Sequence, residues 1–245
     1  MNALLQFSIE DRRNTATWEE ALRKFINQVD SAGIMVMVSG IVGGNTRRKL
    51  NPEEFRGFAL SEKRAPLIFL NGADTKSGQM FTLAHELAHI WLGETGVSDV
   101  TPEFIPTNKT EIWCNKVAAE MLVPTGIFKA QFNSSNELSD EYCRLAKVFK
   151  VSTLVIIRRI FDCGFITENT FQTVYNSELK RLLEITKSKG GNYYLTQPAR
   201  VSKRFARALI ISTLEGQTLY REAFHLLGLK KLSTFNELGA RLGVG

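Results

Sequence analysis

The sequence predicts an α+β fold for about the first 165 of its 245 residues, followed by a smaller, mainly helical region. Two observations predict this class. Short apolar segments bounded by turn-forming residues alternate with segments in which apolar residues recur at helical spacing. After about Phe165 the strand-like segments stop and only helical spacing remains. We therefore expect one domain at residues 1–165 and a helical C-terminal region at residues 166–245.

The first predicted elements are one helix and three short strands. Thr17 and Glu20 form a capping-box pattern, and helical spacing continues from there to Gly33. Strands are predicted at residues 34–38, 57–60 and 66–71, separated by turns. The segment Gly43–Lys49 is expected to be a polar turn.

The remaining predicted elements are helices. A helix over residues 79–91 has its apolar side chains on one face, and a loop containing Gly93 and Gly96 follows it. The other predicted helices cover residues 109–122, which Pro124 ends, further helix to Phe161, and residues 177–187 and 200–214. The pair Tyr193-Tyr194 between the last two helices is expected to be local core.

Composition excludes several classes of protein. Hydrophobic residues make up 44% of the chain and charged residues 23%, which is ordinary globular usage. No apolar run approaches the roughly 20 residues that cross a bilayer, and the start has no signal-peptide pattern, so we expect a cytoplasmic protein without a membrane contact. Its three cysteines form no C-x-x-C pair, which favours reduced thiols. The net charge of +6 is compatible with an anionic partner but does not establish one.

The segment His85-Glu86-Leu87-Ala88-His89 is an H-E-x-x-H motif within the predicted helix at residues 79–91. Residues four apart in a helix are rotated by only about 40°, so both imidazoles can bind one metal ion from the same face. Glu86 lies to one side, where it can act as a general base on the attacking water. The sequence therefore predicts a catalytic zinc site with His85 and His89 as ligands.

A third protein ligand is expected downstream. The longer motif with a third histidine is excluded, because Leu92 and Thr95 occupy its glycine and histidine positions. The remaining histidine, His225, is better explained as a helix-face or core residue. A carboxylate is therefore expected, and the nearby candidates are Glu94, Asp99, Glu103, Glu111 and Glu120.

Glu111 is the favoured candidate, because it lies on a predicted helix, as Glu120 does, and not in the loop. Asn115 and Ala118 continue the same helix face, so Asn115 can orient a zinc-bound imidazole and Ala118 permits close packing. Glu120 points to the opposite side. The alternative for Glu111 is a first-turn glutamate favoured by the helix dipole.

Three segments resemble the ImmA/IrrE (DUF955) family of zinc metallopeptidases. They are the strand Pro66–Asn71, the helix Phe81–His89 and the helix Glu111–Pro124, and with their flanking segments they cover about the first two thirds of the chain. The sequence departs from the family pattern at Ala88, where glycine is usual, and at Val117, where phenylalanine is usual. The resemblance implies a zincin-like metallopeptidase domain, a small sheet with helices that carry the H-E-x-x-H motif.

The same resemblance implies roles and a partner. His85, His89 and Glu111 would bind Zn²⁺, Glu86 would be the catalytic base, and Asn115 would contact a zinc ligand. Family members are bacterial or phage regulators, several of which cleave a helix-turn-helix repressor. We therefore expect a separate protein substrate, a repressor or antitoxin, with the strand Leu67–Leu70 as the sheet edge on which it adds in extended form.

Two further segments allow other interpretations. Residues 145–159 read as helix, turn and helix with basic residues on the second element, which is typical either of DNA binding or of a packed helix pair that completes the domain. Arg200, Lys203, Arg204 and Arg207 form a basic stripe that is either a solvated face or a contact for nucleic acid or an acidic protein. An alternative to proteolysis is thus a toxin-antitoxin or regulatory component that acts by binding protein or DNA.

Overall fold

The computed structural model describes residues 8–42, 45–98, 108–188 and 201–244. The helices are α1 (Ile9–Arg13), α2 (Trp18–Ser31), α3 (Lys76–Leu92), α4 (Lys109–Leu122), α5 (Thr125–Gln131), α6 (Leu138–Phe149), α7 (Thr153–Asp162), α8 (Glu168–Ser188), α9 (Lys203–Leu214), α10 (Tyr220–Leu227) and α11 (Leu232–Arg241). The strands are β1 (Met35–Ser39), β2 (Ile41–Val42), β3 (Asn45–Lys49), β4 (Gly57–Leu60), β5 (Leu67–Asn71) and β6 (Gly96–Ser98). This combination confirms the predicted α+β class.

Four of the strands form one sheet in the order β1-β5-β4-β6. Strands β1 and β5 are parallel, whereas β4 is antiparallel to both β5 and β6. The expectation that Leu67–Leu70 is a sheet edge is therefore wrong, because β5 has a hydrogen-bonded neighbour on each side. Among the described residues, β1 and β6 are the edge strands of this sheet.

Helix α3 packs on the inner face of the sheet and against α2 and α4. Every residue from Met80 to His89 except Phe81 is buried, so this helix runs through the middle of the domain. The Thr75 hydroxyl accepts a hydrogen bond from the backbone N–H of Gly78 at the start of α3. Gly93 ends the helix in the left-handed conformation, at φ +74°, which glycine adopts without strain.

Arg12 ties the short helix α1 to the ends of two other helices. Its side chain is fully buried, and Nη1 donates to the carbonyl oxygen of Leu122 at 2.6 Å and to that of Phe149 at 3.1 Å. These carbonyls lie at the C-terminal ends of α4 and α6, where a cation is favoured by the helix dipole. Burial lowers the pKa of Arg12 to about 10, so the side chain stays charged at neutral pH.

Several elements differ from the sequence-based expectations. Part of the expected polar turn forms the hairpin β2–β3, and the expected loop after α3 contains strand β6. Helix α8 begins at Glu168 rather than near residue 177, while α1, α10 and α11 were not anticipated. One half of the predicted capping box is confirmed, because the Thr17 hydroxyl accepts from the N–H of Glu20. The Glu20 carboxylate accepts from the N–H of Ala16, one residue before the N-cap.

The segment at residues 145–159 was expected to be either a DNA-binding helix-turn-helix or a packed helix pair. It comprises the end of α6, the turn that follows and most of α7. Two of its four basic side chains, Lys150 and Arg159, are buried in the protein, whereas Lys147 and Arg158 are exposed. Arg159 is buried and lies 3.2 Å from the Glu120 carboxylate, and the ammonium of Lys150 lies 5.0 Å from the centre of the Trp18 ring. Helix α8 packs along α7. These contacts favour the packed helix pair.

Helices α9, α10 and α11 enclose a second, small core at the C-terminal end. Its fully or largely buried members are Ala206, Ile210, Ala223, Leu227 and Phe235. The Ser202 hydroxyl begins α9 by accepting from the N–H of Phe205, and it also donates to the Asp30 carboxylate on α2. Arg200 and the pair Tyr193-Tyr194 lie outside the described residues. The domain boundary near residue 165 stays a prediction.

No helix in the described part of the chain is both long and apolar enough to cross a lipid bilayer.

Candidate metal centre

Helix α3 presents His85 and His89 one turn apart on the same buried face. Their relative exposures are 0% and 3%, and their ring centres are 4.9 Å apart. The two Nε2 atoms lie 3.1 Å from each other. The four-residue spacing therefore brings both imidazole nitrogens to one point, as the motif predicts.

Glu111 completes the cluster from the first turn of α4. Its carboxylate oxygens lie 3.1 Å from Nε2 of His85 and 3.2 Å from Nε2 of His89. Asn108 fixes the start of this helix, because its side chain accepts from the N–H of Thr110. Ala118 is fully buried on the face of α4 that continues from Glu111, which permits the close packing of α4 on α3.

The three side chains fit a zinc ion. Zinc binds imidazole nitrogen and carboxylate oxygen at about 2.0–2.2 Å, so neighbouring ligand atoms of a tetrahedral site lie about 3.3–3.5 Å apart. The observed separations of 3.1, 3.1 and 3.2 Å fall within a few tenths of an ångström of that range. Of the described residues, His85, His89 and Glu111 form the one group able to hold a metal ion.

Asn115 determines which nitrogen of His85 faces the cluster. Its Oδ1 lies 2.9 Å from Nδ1 of His85, and because a carbonyl oxygen only accepts, Nδ1 carries the proton. The other ring nitrogen, Nε2, therefore faces the Glu111 carboxylate and His89, where its lone pair can bind a metal ion. Such a convergence of acceptor atoms is favourable when a cation lies among them.

The pKa shifts agree with a site that keeps its ligands deprotonated. Burial, followed by the charge of His85, lowers the pKa of His89. When no metal is bound and Nε2 of His85 carries a proton, its hydrogen bond to Glu111 is the largest influence on that carboxyl group and lowers its pKa. Burial raises the pKa of the neighbouring Cys114 thiol to about 12, so this cysteine remains a neutral thiol.

Glu86 is fully buried next to the cluster but is not one of its members. Strand β4 borders its carboxylate: a side-chain carbon added at Gly57 would lie 3.4 Å from Oε1 of Glu86. The same carbon would lie 2.6 Å from the methyl group of Thr82 and 2.8 Å from the carbonyl oxygen of Phe69. A glycine at position 57 therefore leaves room for the carboxylate beside the sheet.

The other carboxylates considered from the sequence lie elsewhere. Glu120 is 54% exposed on the far side of α4, where it contacts Arg159 and Thr125. Glu94 is outside the cluster, although its charge acts on His89 and Cys114. Asp99 and Glu103 lie outside the described residues. His225 is an exposed residue of α10, which confirms the helix-face interpretation.

Gly57 and Thr82 were not identified from the sequence. Gly57, on β4, leaves room for the side chains of Thr82 and Glu86 on α3, and these residues are distant from it in the sequence. The signal that could have indicated Gly57 is a glycine at the first position of a strand, which often marks a close approach of another group.

Comparison with known families assigns the fold to the metallopeptidases. The family model described as "IrrE N-terminal-like domain", of the peptidase M78 family, matches residues 29–161, which is more than half of the chain. The chain therefore belongs to the ImmA/IrrE family of metallopeptidases, and the matched region has the expected zincin-like fold.

A second family model, described as "Domain of unknown function (DUF8813)", matches residues 201–241, which include α9, α10 and α11. No curated protein and no solved structure matches the chain.

Proposed function

We propose that the chain is a zinc-dependent endopeptidase of narrow specificity. The observation that carries this proposal is the convergence of His85, His89 and Glu111 on one point beside the buried Glu86. A zinc ion bound there would supply a Lewis acid for the scissile carbonyl and a lowered pKa for water. The protein supplies the ligands, their orientation and the base.

Glu86 is the general base of this proposal. It follows His85 directly on α3, so its carboxylate is held next to the cluster without entering it. It would take a proton from the attacking water and return it to the leaving amine. Strand β4 lies beside this carboxylate at Gly57, where the missing side chain leaves room for it.

Asn115 holds His85 in one tautomer and one ring orientation. Its own position follows from that of Glu111, because the two residues are one turn apart on α4. Helix α4 thus provides both a ligand and the group that orients another ligand.

Metal content tests the site directly. We expect about one zinc per chain in protein purified without added metal, and little in Glu111→Ala. Glu120→Ala is the matched control, since it removes a carboxylate from the opposite face of the same helix and should keep the zinc. Absence of zinc from the wild type after zinc is supplied would contradict the assignment.

The substrate is proposed to be a helix-turn-helix repressor or an antitoxin, on the strength of the family resemblance. Co-expression of the chain with such proteins from the same genome, followed by mass spectrometry, would identify a cleaved fragment. Glu86→Gln should keep zinc and lower cleavage by about 10²–10⁴-fold. Full cleavage by Glu86→Gln would refute the role given to Glu86.

The same experiment separates proteolysis from a purely binding role. A partner that co-purifies unchanged with both wild type and Glu86→Gln would indicate a toxin-antitoxin or regulatory component that acts by docking. A partner that is intact only with Glu86→Gln would indicate a substrate held by an inactive enzyme.

A further inference from the structure

The C-terminal unit, defined here as residues 201–244, consists of three helices around its own core. Helix α9 packs against both α10 and α11, whereas the backbones of α10 and α11 approach each other less than either approaches α9. The contact between α10 and α11 is instead made by aromatic rings: the ring centres of Tyr220 and Phe224 lie 5.4 and 5.5 Å from that of Phe235. One helix therefore supports two others that meet through side chains.

A short turn joins α10 to α11. It comprises residues 228–231 and begins with Gly228, which ends α10 in the left-handed conformation at φ +67°. A helix of eight residues, a four-residue turn that contains glycine and a second helix of ten residues are the dimensions of a helix-turn-helix unit. A supporting first helix, here α9, is also part of that arrangement.

The charge of the C-terminal unit is strongly positive. It contains seven lysine and arginine residues but three glutamates, and all seven cationic residues are exposed. They are Lys203, Arg204, Arg207, Arg221, Lys230, Lys231 and Arg241. Of these, Arg241 pairs with Glu237, and the structure gives no carboxylate partner among the described residues for the other six.

One exposed residue of the basic stripe expected on α9, Arg204, lies against another segment of the protein. A side-chain carbon added at Gly33 would lie 3.4 Å from Nη1 of Arg204, so this guanidinium lies against the turn between α2 and β1. The bond from Ser202 to Asp30 is at the same junction. The exposed charge around the turn between α10 and α11 remains available to a partner.

The turn and the start of α11 carry the groups that a duplex requires. Lys230 and Lys231 directly precede α11, where they can contact phosphates. Ser233, Thr234 and Asn236 are exposed on its first turns, and short hydroxyl and amide side chains at the N-terminal end of a second helix are those that contact base edges. Apart from Leu232, which is 53% exposed, the side chains named here are polar or cationic, and their positive charge favours nucleic acid as the partner.

We propose that the C-terminal unit binds duplex DNA through the turn between α10 and α11, with α11 in the major groove. This is an activity separate from the metal centre, and no residue of the cluster takes part in it. It would place the peptidase domain beside DNA, because α9 is attached to α2 through Ser202 and Asp30.

Fluorescence anisotropy with the full chain and a fluorescein-labelled duplex of about 24 base pairs tests the proposal. Four phosphate contacts would give a slope of roughly −3 to −4 in a plot of log affinity against log salt concentration. Lys230→Glu/Lys231→Glu should weaken binding by about 10-fold or more near 0.1 M salt. Arg47→Glu/Arg48→Glu, an equal charge change on the exposed strand β3, is the control and should change binding by less than about threefold.

Whether the protein recognises a particular DNA sequence requires a second measurement. Selection from a random duplex library should enrich a sequence, and Asn236→Ala should reduce the preference for it over a scrambled duplex by about 10-fold. Melting temperatures of all variants would verify folding, with Lys230→Gln/Lys231→Gln as a milder substitute for the charge reversal. Lack of duplex binding at low salt, equal weakening by both charge reversals, or tighter binding of single-stranded RNA would each overturn the proposal.

Discussion

Asn115→Ala should weaken zinc binding without removing a zinc ligand. The substitution removes the acceptor that lies 2.9 Å from Nδ1 of His85, a residue with no exposed surface. An N–H group left unsatisfied in such a place costs about 1–3 kcal/mol, and the imidazole also becomes free to rotate away. The expected loss is therefore about 10–100-fold in zinc affinity.

Competition with a chelator of known affinity would measure this loss, at a fixed pH because protons compete for the same nitrogen atoms. Asn115→Asp keeps an acceptor at the same place and should bind zinc at least as tightly as the wild type. Lys116→Ala is the control, because it changes an exposed residue of the same helix. Its zinc affinity should be that of the wild type.

Equal zinc affinity in Asn115→Ala and the wild type would refute this reasoning. It would mean that packing of the buried imidazole alone fixes its orientation. Equal losses in Asn115→Ala and Lys116→Ala would instead attribute the effect to a weakened helix.

Two other variants have predictable effects. Gly57→Ala should keep zinc but lower cleavage about 10-fold, because the added carbon would lie 2.6 Å from the methyl group of Thr82 and would push α3, which carries Glu86, away from β4. Gly126→Ala, where nothing lies within 4 Å of the added carbon, should be unaffected. Glu141 accepts hydrogen bonds from a neighbouring guanidinium, which hold its pKa at about 2 instead of 4.5. Glu141→Gln should therefore lower the free energy of unfolding by about 2 kcal/mol at pH 7, and urea denaturation should find this difference disappearing as pH falls from about 4.5 to 2. A constant difference over that range would contradict the ionic explanation.

The helices that carry the site were predictable because their signals are local. The apolar spacing of α3 and α4 is regular, and Pro124 ends the second of them. The start of α3 was placed three residues late, because Lys76, Ser77 and Gly78 carry no apolar pattern. The choice of Glu111 over Glu120 also needed helix geometry alone, and the structure places Glu111, not Glu120, within 3.2 Å of both histidines.

The order of the strands and the contacts of Gly57 were not predictable in the same way. Strand β6 has three residues, too few for an alternating pattern, yet it pairs with β4 and forms one edge of the sheet. Strand β5, expected at an edge, lies between β1 and β4. Helices α10 and α11 are short, and their packing depends on rings that meet across a turn. Such features follow from tertiary packing, which overrides local propensity.

The buried guanidinium of Arg12 has a consequence for where this enzyme begins as a folding unit. Similarity to the family starts at residue 29, but Arg12 satisfies carbonyl groups at the far end of α4, the helix that presents Glu111. A fragment that began at residue 29 would lack the guanidinium that donates to the carbonyl oxygens of Leu122 and Phe149. It would also lack α1 and most of α2. The segment that matches the family model, residues 29–161, is thus shorter than the segment that holds α4 in place, because the latter also includes Arg12.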